Sequence, residues 1–198
     1  MIIFETRQEP VAITIPNIIT LIRLLLIPVF VLCFYLPESI SHLASTVVFA
    51  TAGITDWLDG YLARRLKQVS AFGAFLDPVA DKLMVAIALV LLVDKNPTDY
   101  NGLLLALPAA VIIGREIVIS ALREWMAEIG ERAQVAVSVI GKIKTTAQIF
   151  ALLFLLYKYP LLGLPTADIG FVLLYVASAL TLWSMFIYLK AAWPTMSK

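Results

Sequence analysis

Runs of about twenty apolar residues, separated by short polar breaks, recur along the whole chain. Pro16 and Asn17 open the first run, which reaches about Leu36 and is stopped by Pro37, Glu38 and Ser39. A second begins near Leu43 and passes through Ile54 into the DWLDG turns, with Arg64-Arg65-Leu66-Lys67 projecting into water beyond it. The third extends from about Phe72 to Val93 and closes at Asp94-Lys95-Asn96-Pro97. A fourth covers about Leu103 to Leu122, followed by a polar stretch from Arg123 to Arg132. The fifth runs from about Val139 to Tyr157, Pro160 to Pro165 make a turn, and a sixth runs from about Ile169 to Leu189. Each run is close to the ~20 residues that an α-helix needs to cross a bilayer. The pattern predicts an all-α integral membrane protein, a bundle of about six transmembrane helices over residues 13–190. Residues 1–12 set Ile2, Ile3 and Phe4 beside Glu5, Arg7 and Glu9, which predicts a short N-terminal interfacial helix. No repeat, low-complexity tract or boundary divides the chain, so residues 1–198 read as a single membrane domain.

Composition sharpens this picture. With 61% hydrophobic residues, 15% charged residues and a mean hydropathy of +0.93, the chain is too apolar for a soluble domain of its length. The single cysteine, Cys33, excludes an intramolecular disulfide and offers no metal-finger spacing. The opening MIIFETRQEP lacks the basic region and cleavage site of a removed signal peptide. A net charge of +1 gives no reason to expect a nucleic-acid partner; the placement of charge says more. The alternate loops at 37–42, 94–102 and 158–168 hold only Lys95 and Lys158 of the 15 Lys and Arg. The other side collects Arg7, Arg64, Arg65, Lys67, Arg123, Arg132, Lys142, Lys190 and Lys198. The positive-inside bias therefore puts both termini on the cytoplasmic side, with Trp125, Trp183, Tyr188 and Trp193 as interfacial anchors.

One stretch breaks the apolar pattern in a way that demands chemistry. DWLDGYLARRLKQVSAFGAFLDPVAD, from Asp56 to Asp81, sets four aspartates in or beside segments apolar enough for a bilayer. On helices, Asp56 and Asp59 are i,i+3 neighbours, and Asp77 and Asp81 are i,i+4 neighbours. An aspartate at bilayer depth costs roughly 2.5–3.5 kcal/mol, so four unpaired ones oppose insertion by on the order of 10 kcal/mol. Mutual repulsion raises that further. A cationic partner is required, and carboxylate oxygen suits Mg²⁺ or Mn²⁺. The expectation is an intramembrane metal site at the cytoplasmic end, with Asp56, Asp59, Asp77 and Asp81 as ligands.

The neighbours of these aspartates suggest what the metals act on. Gly60 and Ala63 leave room beside the acidic face for a flat ligand to approach the backbone, and Gly73 lies one turn before Asp77. Arg64 continues the face with a fork of donors for phosphate oxygens. Together they point to a nucleotide-diphosphate site at which two divalent ions bridge a pyrophosphate. A divalent-cation transporter is the rival of a different class, because intramembrane carboxylates often mark cation pathways. A transporter, however, has no evident need for the small-residue slot and its arginine.

The spacing Asp56-x2-Asp59-Gly60-x2-Ala63-Arg64-x8-Gly73-x3-Asp77-x3-Asp81 resembles, at every fixed position, the signature of the CDP-alcohol phosphotransferases. The stretches TDWLDGYLARR, FGAFLDPVADK, GREIVISALREWMAE and GKIKTTAQ extend the likeness to the bacterial members that take a phosphorylated acceptor. The resemblance implies a bacterial inner-membrane enzyme, with its active site facing the cytoplasm. It would move the phosphatidyl group from CDP-diacylglycerol to sn-glycerol 3-phosphate and release CMP. It implies two divalent ions on Asp56, Asp59, Asp77 and Asp81, with Asp81 also as the general base on the acceptor hydroxyl. The cytidine slot maps to Asp59, Gly60, Ala63, Arg64 and Gly73, closed by Asn17 and Arg23 from the first helix. A homodimer is implied as well. The same chemistry with serine or inositol phosphate as acceptor is the alternative within the family.

A second basic group lies downstream: Arg115 in the fourth run, Arg123 after it, and Lys142 and Lys144 at the start of the fifth. These residues either snorkel to the interface or form a pocket for the acceptor's phosphate. The depth of Arg115, with Glu116 adjacent, favours the pocket. Arg23 could likewise snorkel, and Lys82 could serve only to balance the carboxylates. His42, the sole histidine, reads as a surface residue of an outer loop, and Glu38, Glu128 and Asp168 read as solvated loop charges.

Overall fold

The computed structural model describes residues 15–66, 71–130 and 139–196; the predicted interfacial segment, 1–12, lies outside the described residues. Six helices follow one another: α1 Ile15–Phe34, α2 Glu38–Leu66, α3 Ala71–Lys95, α4 Gly102–Glu128, α5 Val139–Tyr157 and α6 Thr166–Met196. Among the described residues the one β feature is an isolated bridge between Leu161 and Leu164. Among the described residues, three helices are long and apolar enough to cross a membrane, over Asn17–Phe34, Gly102–Glu128 and Thr166–Trp193, and α5 adds a shorter apolar stretch, Ile143–Tyr157. The other two, α2 and α3, mix their apolar runs with the four aspartates and with Arg64, Arg65 and Lys82.

Several helix ends differ from the sequence expectation, each for a local reason. Pro37 ends the first polar break instead of beginning a loop: its carbonyl accepts from Ile40 at 2.9 Å and Ser41 at 3.0 Å, so α2 starts at once. Glu38 then supplies negative charge at the helix N-terminus. At its far end, α4 absorbs Arg123 to Glu128 and stops where Gly130 turns to a positive φ of 74°. The turn at 160–165 holds because Leu161 and Leu164 exchange backbone hydrogen bonds of 3.1 and 2.9 Å, with Gly163 at φ 81°. Glu38 and Asp168, expected in loops, lie in the first turns of α2 and α6, and Glu128 is the last residue of α4.

Packing follows from which face each helix buries. In α1 the buried positions are Asn17, Thr20, Arg23, Ile27, Phe30 and Phe34, a strict helical stripe that is polar in its first half and apolar in its second. The apolar half joins a core with Phe49, Leu89, Leu92, Ile112, Leu152 and Leu174, where the Phe30 ring lies 6.0 Å from that of Phe49. Helix α5 packs most extensively against α6, and α1 against α2. Gly170 makes the α5–α6 contact possible, since a Cβ there would meet the Ala151 carbonyl oxygen and Leu155 at 3.0 Å. Close backbone approach at small residues is how helices pack where lipid supplies no hydrophobic drive. Outward-facing Leu25, Leu32, Val90 and Leu103 are exposed, as a lipid-facing surface requires.

The alternation of helix directions brings the buried charged groups, with several buried polar ones, to one end of the bundle, while Ser41, Ser45 and Thr166 are buried toward the other. The starts of α1 and α5, the far end of α2 and the second half of α6 supply Asn17, Thr20, Arg23, Asp59, Lys144, Gln148 and Ser184. The opposite end is tied by Tyr35 donating to Asp94 at 3.1 Å and Lys158 to Glu38 at 2.8 Å. His42 belongs to this end. It is a partly buried residue of α2, not a loop residue, with Nδ1 3.0 Å from the Leu156 carbonyl and its ring edge-on to Tyr159.

Candidate active site

Four carboxylates reach the polar end from two helices. Asp56 and Asp59 share a face of α2 at i,i+3, and Asp77 and Asp81 share a face of α3 at i,i+4. Between them stands Arg23, carried in by the polar half of the α1 stripe. Its Nη1 lies 2.8 Å from Asp56 Oδ1 and 2.5 Å from Asp81 Oδ1, and its Nη2 is paired with Asp59 Oδ2. The guanidinium is 1% exposed, so it does not snorkel. Thr20, one turn earlier, donates to Asp77 Oδ1 at 2.6 Å and to Asp59 Oδ2 at 3.4 Å. Two residues of α1 thus engage all four aspartates.

Exposure divides the four into two kinds. Asp59 is sealed at 3% exposed, whereas Asp56 and Asp81 stand at 44% and 45%. The buried pair Arg23–Asp59 anchors the site, and Asp56 and Asp81 present oxygens to whatever enters. Among the described residues no three acidic, histidine or cysteine side chains surround one point closely enough to hold a metal ion. The Arg23 guanidinium, expected from the sequence in the cytidine slot, stands among these carboxylates.

The donor set nevertheless fits hard divalent cations. All four side chains offer carboxylate oxygen, the ligand Mg²⁺ and Mn²⁺ prefer. Arg23 supplies one positive charge to four carboxylates, and Lys82, adjacent in sequence to Asp81, is turned away to Ser120 on α4. Lys82 therefore does not balance the aspartates. The negative excess left on Asp56, Asp77 and Asp81 is what further cations would neutralise.

Two cavities meet at Asp81. One of about 460 Å³, between α2, α3 and α5, is lined by Arg23, Asp56, Trp57 and Asp81 at one end and by apolar Phe49 and Leu153 at the other. The second, about 560 Å³ between α3, α4 and α5, is lined by Asp81, Lys82, Glu116, Ser120, Lys144 and Gln148. Asp81 stands in both walls, together with Val85, Thr145 and Gln148.

The second basic group is partly assembled. Arg115 Nη1 and Lys144 Nζ both donate to Glu116 Oε1 at 2.9 Å, and Arg115 Nη2 donates to Ser184 on α6 at 3.1 Å. Arg123 is directed to α6 instead, donating to the Tyr188 hydroxyl at 2.6 Å with its guanidinium 5.0 Å from the ring centre. The backbones of Ala63 and Arg64 lie in α2 and that of Lys142 in α5, but their side chains lie outside the described residues. Gly73 and Asn17 are buried close to the aspartates in sequence and along α1, and Gly60 is half-buried. Thr20, Ser120 and Gln148 were not singled out from the sequence, and Glu116 was named only as a neighbour of Arg115. Thr20 carried a signal, since Asn17, Thr20 and Arg23 recur every third residue on an apolar helix. Ser120 and Gln148 carried none.

Comparison with known proteins identifies the family. The family model for CDP-alcohol phosphatidyltransferase matches residues 13–183. A Pseudomonas fluorescens protein named CDP-diacylglycerol–glycerol-3-phosphate 3-phosphatidyltransferase is 58% identical over 181 residues, covering 91% of this chain and 90% of its own. Proteins of the same name from Yersinia enterocolitica and Escherichia coli K12 are each 56% identical, over 182 and 178 residues, covering 90% of this chain and 94% of their own. With the match running from α1 into α6 and covering every signature aspartate, the chain belongs to the CDP-alcohol phosphatidyltransferase family.

Proposed function

We propose that the protein transfers the phosphatidyl group of CDP-diacylglycerol to sn-glycerol 3-phosphate, giving phosphatidylglycerophosphate and CMP. The names of relatives at 56–58% identity support the reaction. The observation that carries the mechanism is the position of Asp81 in the walls of two cavities, one beside Arg23 and Asp56 and one beside Lys82 and Lys144.

In this reading the donor lies on the Asp56 side. The apolar length of that cavity suits an acyl chain, and Gly60, Ala63, Arg64 and Gly73, with Asn17, take the cytidine. Asp56, Asp59, Asp77 and Asp81 would hold two divalent ions, Mg²⁺ or Mn²⁺. Bound there, such ions supply charge neutralisation at the pyrophosphate and its leaving oxygen. Arg23 keeps Asp59, Asp56 and Asp81 oriented. The acceptor lies on the Lys144 side, its phosphate facing Arg115, Lys142 and Lys144, with Arg123 joining them only by leaving Tyr188. Asp81 accepts the proton of the acceptor's primary hydroxyl as that oxygen bonds to the β-phosphorus. The bond from this phosphorus to the CMP oxygen breaks, and CMP leaves with the electron pair.

The remaining architecture belongs to the same proposal. All six helices would cross the bacterial inner membrane as one domain, with 1–12 at the interface. The polar end would face the cytoplasm, consistent with the basic loops on that side, and the protein would act as a homodimer. Purified protein in vesicles, given CDP-diacylglycerol, Mn²⁺ and one alcohol at a time, tests the reading. CMP release with sn-glycerol 3-phosphate and not with serine or inositol phosphate is expected. Release only with another alcohol moves the acceptor, and none with any, together with ion flux, favours a transporter.

A further inference from the structure

The acceptor-side cavity contains a carboxylate that the reaction does not consume. Glu116, on α4, is part of the wall that also holds Asp81, Lys82 and Lys144. One of its oxygens, Oε1, accepts from both Arg115 Nη1 and Lys144 Nζ at 2.9 Å. The two cationic nitrogens are therefore no more than two hydrogen-bond lengths apart. Both side chains are almost fully buried, and Arg115 Nε is buried with no acceptor among the described residues. Two like charges so close and so dry repel unless an anion lies between them.

We propose that Glu116 is the positioning residue of the acceptor cavity, holding Arg115 and Lys144 together so that they meet a phosphate monoester. The proposal rests on the acceptor-side reading above and adds a residue to it. The charge count explains why the ligand is a phosphorylated alcohol. Lys82, Arg115 and Lys144 outnumber Glu116 and Asp81, and the positive surplus attracts a phosphate but has no counterpart on a neutral alcohol. Ser184 fixes the other arm of the Arg115 fork from α6, so Lys144 is the cation that depends most on the carboxylate. Without the Glu116 charge, Lys144 swings away from Arg115 toward water and the paired donors are lost.

The test is the KM for each substrate in the full-length protein reconstituted with CDP-diacylglycerol and Mn²⁺. Glu116→Gln is expected to raise KM for sn-glycerol 3-phosphate about tenfold or more, leaving kcat and the KM for CDP-diacylglycerol within about threefold. Glu116→Asp, which restores the charge on a shorter arm, is expected to fall between the two. A purely structural role would move both KM values and the melting temperature together. An unchanged or lowered acceptor KM in Glu116→Gln overturns the proposal, as does an equal rise for both substrates. Should Glu116→Gln lose its melting transition, Glu116→Asp alone decides: a severalfold rise confined to the acceptor supports the role, and no rise overturns it. Lys144→Ala separates the two levels of argument. If it raises acceptor KM while Glu116→Gln does not, only the positioning role fails; if the wild-type protein releases no CMP with sn-glycerol 3-phosphate, the underlying reading fails.

Discussion

Arg23 and Asp59 form an ion pair between α1 and α2 in which neither side chain is more than 3% exposed. The pair joins the helix that carries no signature residue to the helix that carries two of the four signature aspartates. Everything else in the acidic cluster is arranged around it: Asp56 and Asp81 share the same guanidinium, and Asp77 takes the hydroxyl of Thr20 one turn away.

Removing one half of this pair is expected to be costly. Arg23→Ala leaves Asp59 buried and uncompensated, and the loss of a partner from a buried pair costs about 3–5 kcal/mol. Arg23→Lys restores charge but not the fork that reaches three carboxylates, so it recovers stability only in part. Denaturation in detergent micelles, followed by helical signal, measures both; a wild-type midpoint in Arg23→Ala contradicts the assignment.

Thr20 offers a gentler probe of the same arrangement. Thr20→Val keeps the shape and removes the donor to Asp77, and loss of a hydrogen bond to a charged group costs about 1.5–3 kcal/mol. Turnover is expected to fall by about tenfold or more, with Thr20→Ser close to wild type. Equal rates in Thr20→Val and wild type would show that the Asp77 carboxylate needs no orienting.

Asp56→Asn and Asp77→Asn each exchange a charged ligand oxygen for a neutral amide. Turnover is expected to drop more than about 100-fold, exceeding the usual effect of changing a residue that only supports a ligand. Titration of Mn²⁺ against each variant should show weakened binding. Full activity in either one removes that residue from the metal set.

Much of this was legible in the sequence, and the rest was hidden for definable reasons. The helices were readable because bilayer length and apolar runs coincide, as α5 shows by matching residue for residue at Val139–Tyr157. Their ends were less so, because polar residues such as those from Glu38 to His42 fit a wet first turn as well as a loop. The four aspartates announced themselves by their cost in an apolar setting. Their actual partner did not: Arg23 is more than thirty residues from Asp56, and only the packing of α1 on α2 and α3 brings them together. Glu116 was noticed merely as a neighbour of Arg115, since its bond to Lys144 crosses from α4 to α5.

Away from the site, Gly170 gives a test of the packing itself. Gly170→Ala drives a methyl group against the Ala151 carbonyl and Leu155, where it would lie at 3.0 Å. Backbone cannot yield as a flexible side chain does, so about 1–3 kcal/mol of destabilisation is expected. Gly114→Ala, which meets nothing within 4 Å, is the control and should melt with the wild type.

The outer end supplies a pH signature. Lys158 donates to Glu38 and holds its carboxyl below the ordinary value of 4.5. A lowered folded-state value stabilises above the unfolded value and is lost as pH falls through the folded one. The small difference in melting temperature between wild type and Glu38→Gln should therefore be present near neutrality and vanish in acid below the ordinary glutamate range. A difference that grows on acidification contradicts the pairing.

The most direct test of the account is a comparison of wild type with Asp81→Asn, measuring CMP release and Mn²⁺ affinity on the same preparations. Asp81 stands where the two cavities meet, so the account predicts CMP release reduced by more than about 100-fold with Mn²⁺ affinity changed far less. CMP release at the wild-type rate, or a loss of turnover that merely tracks the loss of metal, would contradict it.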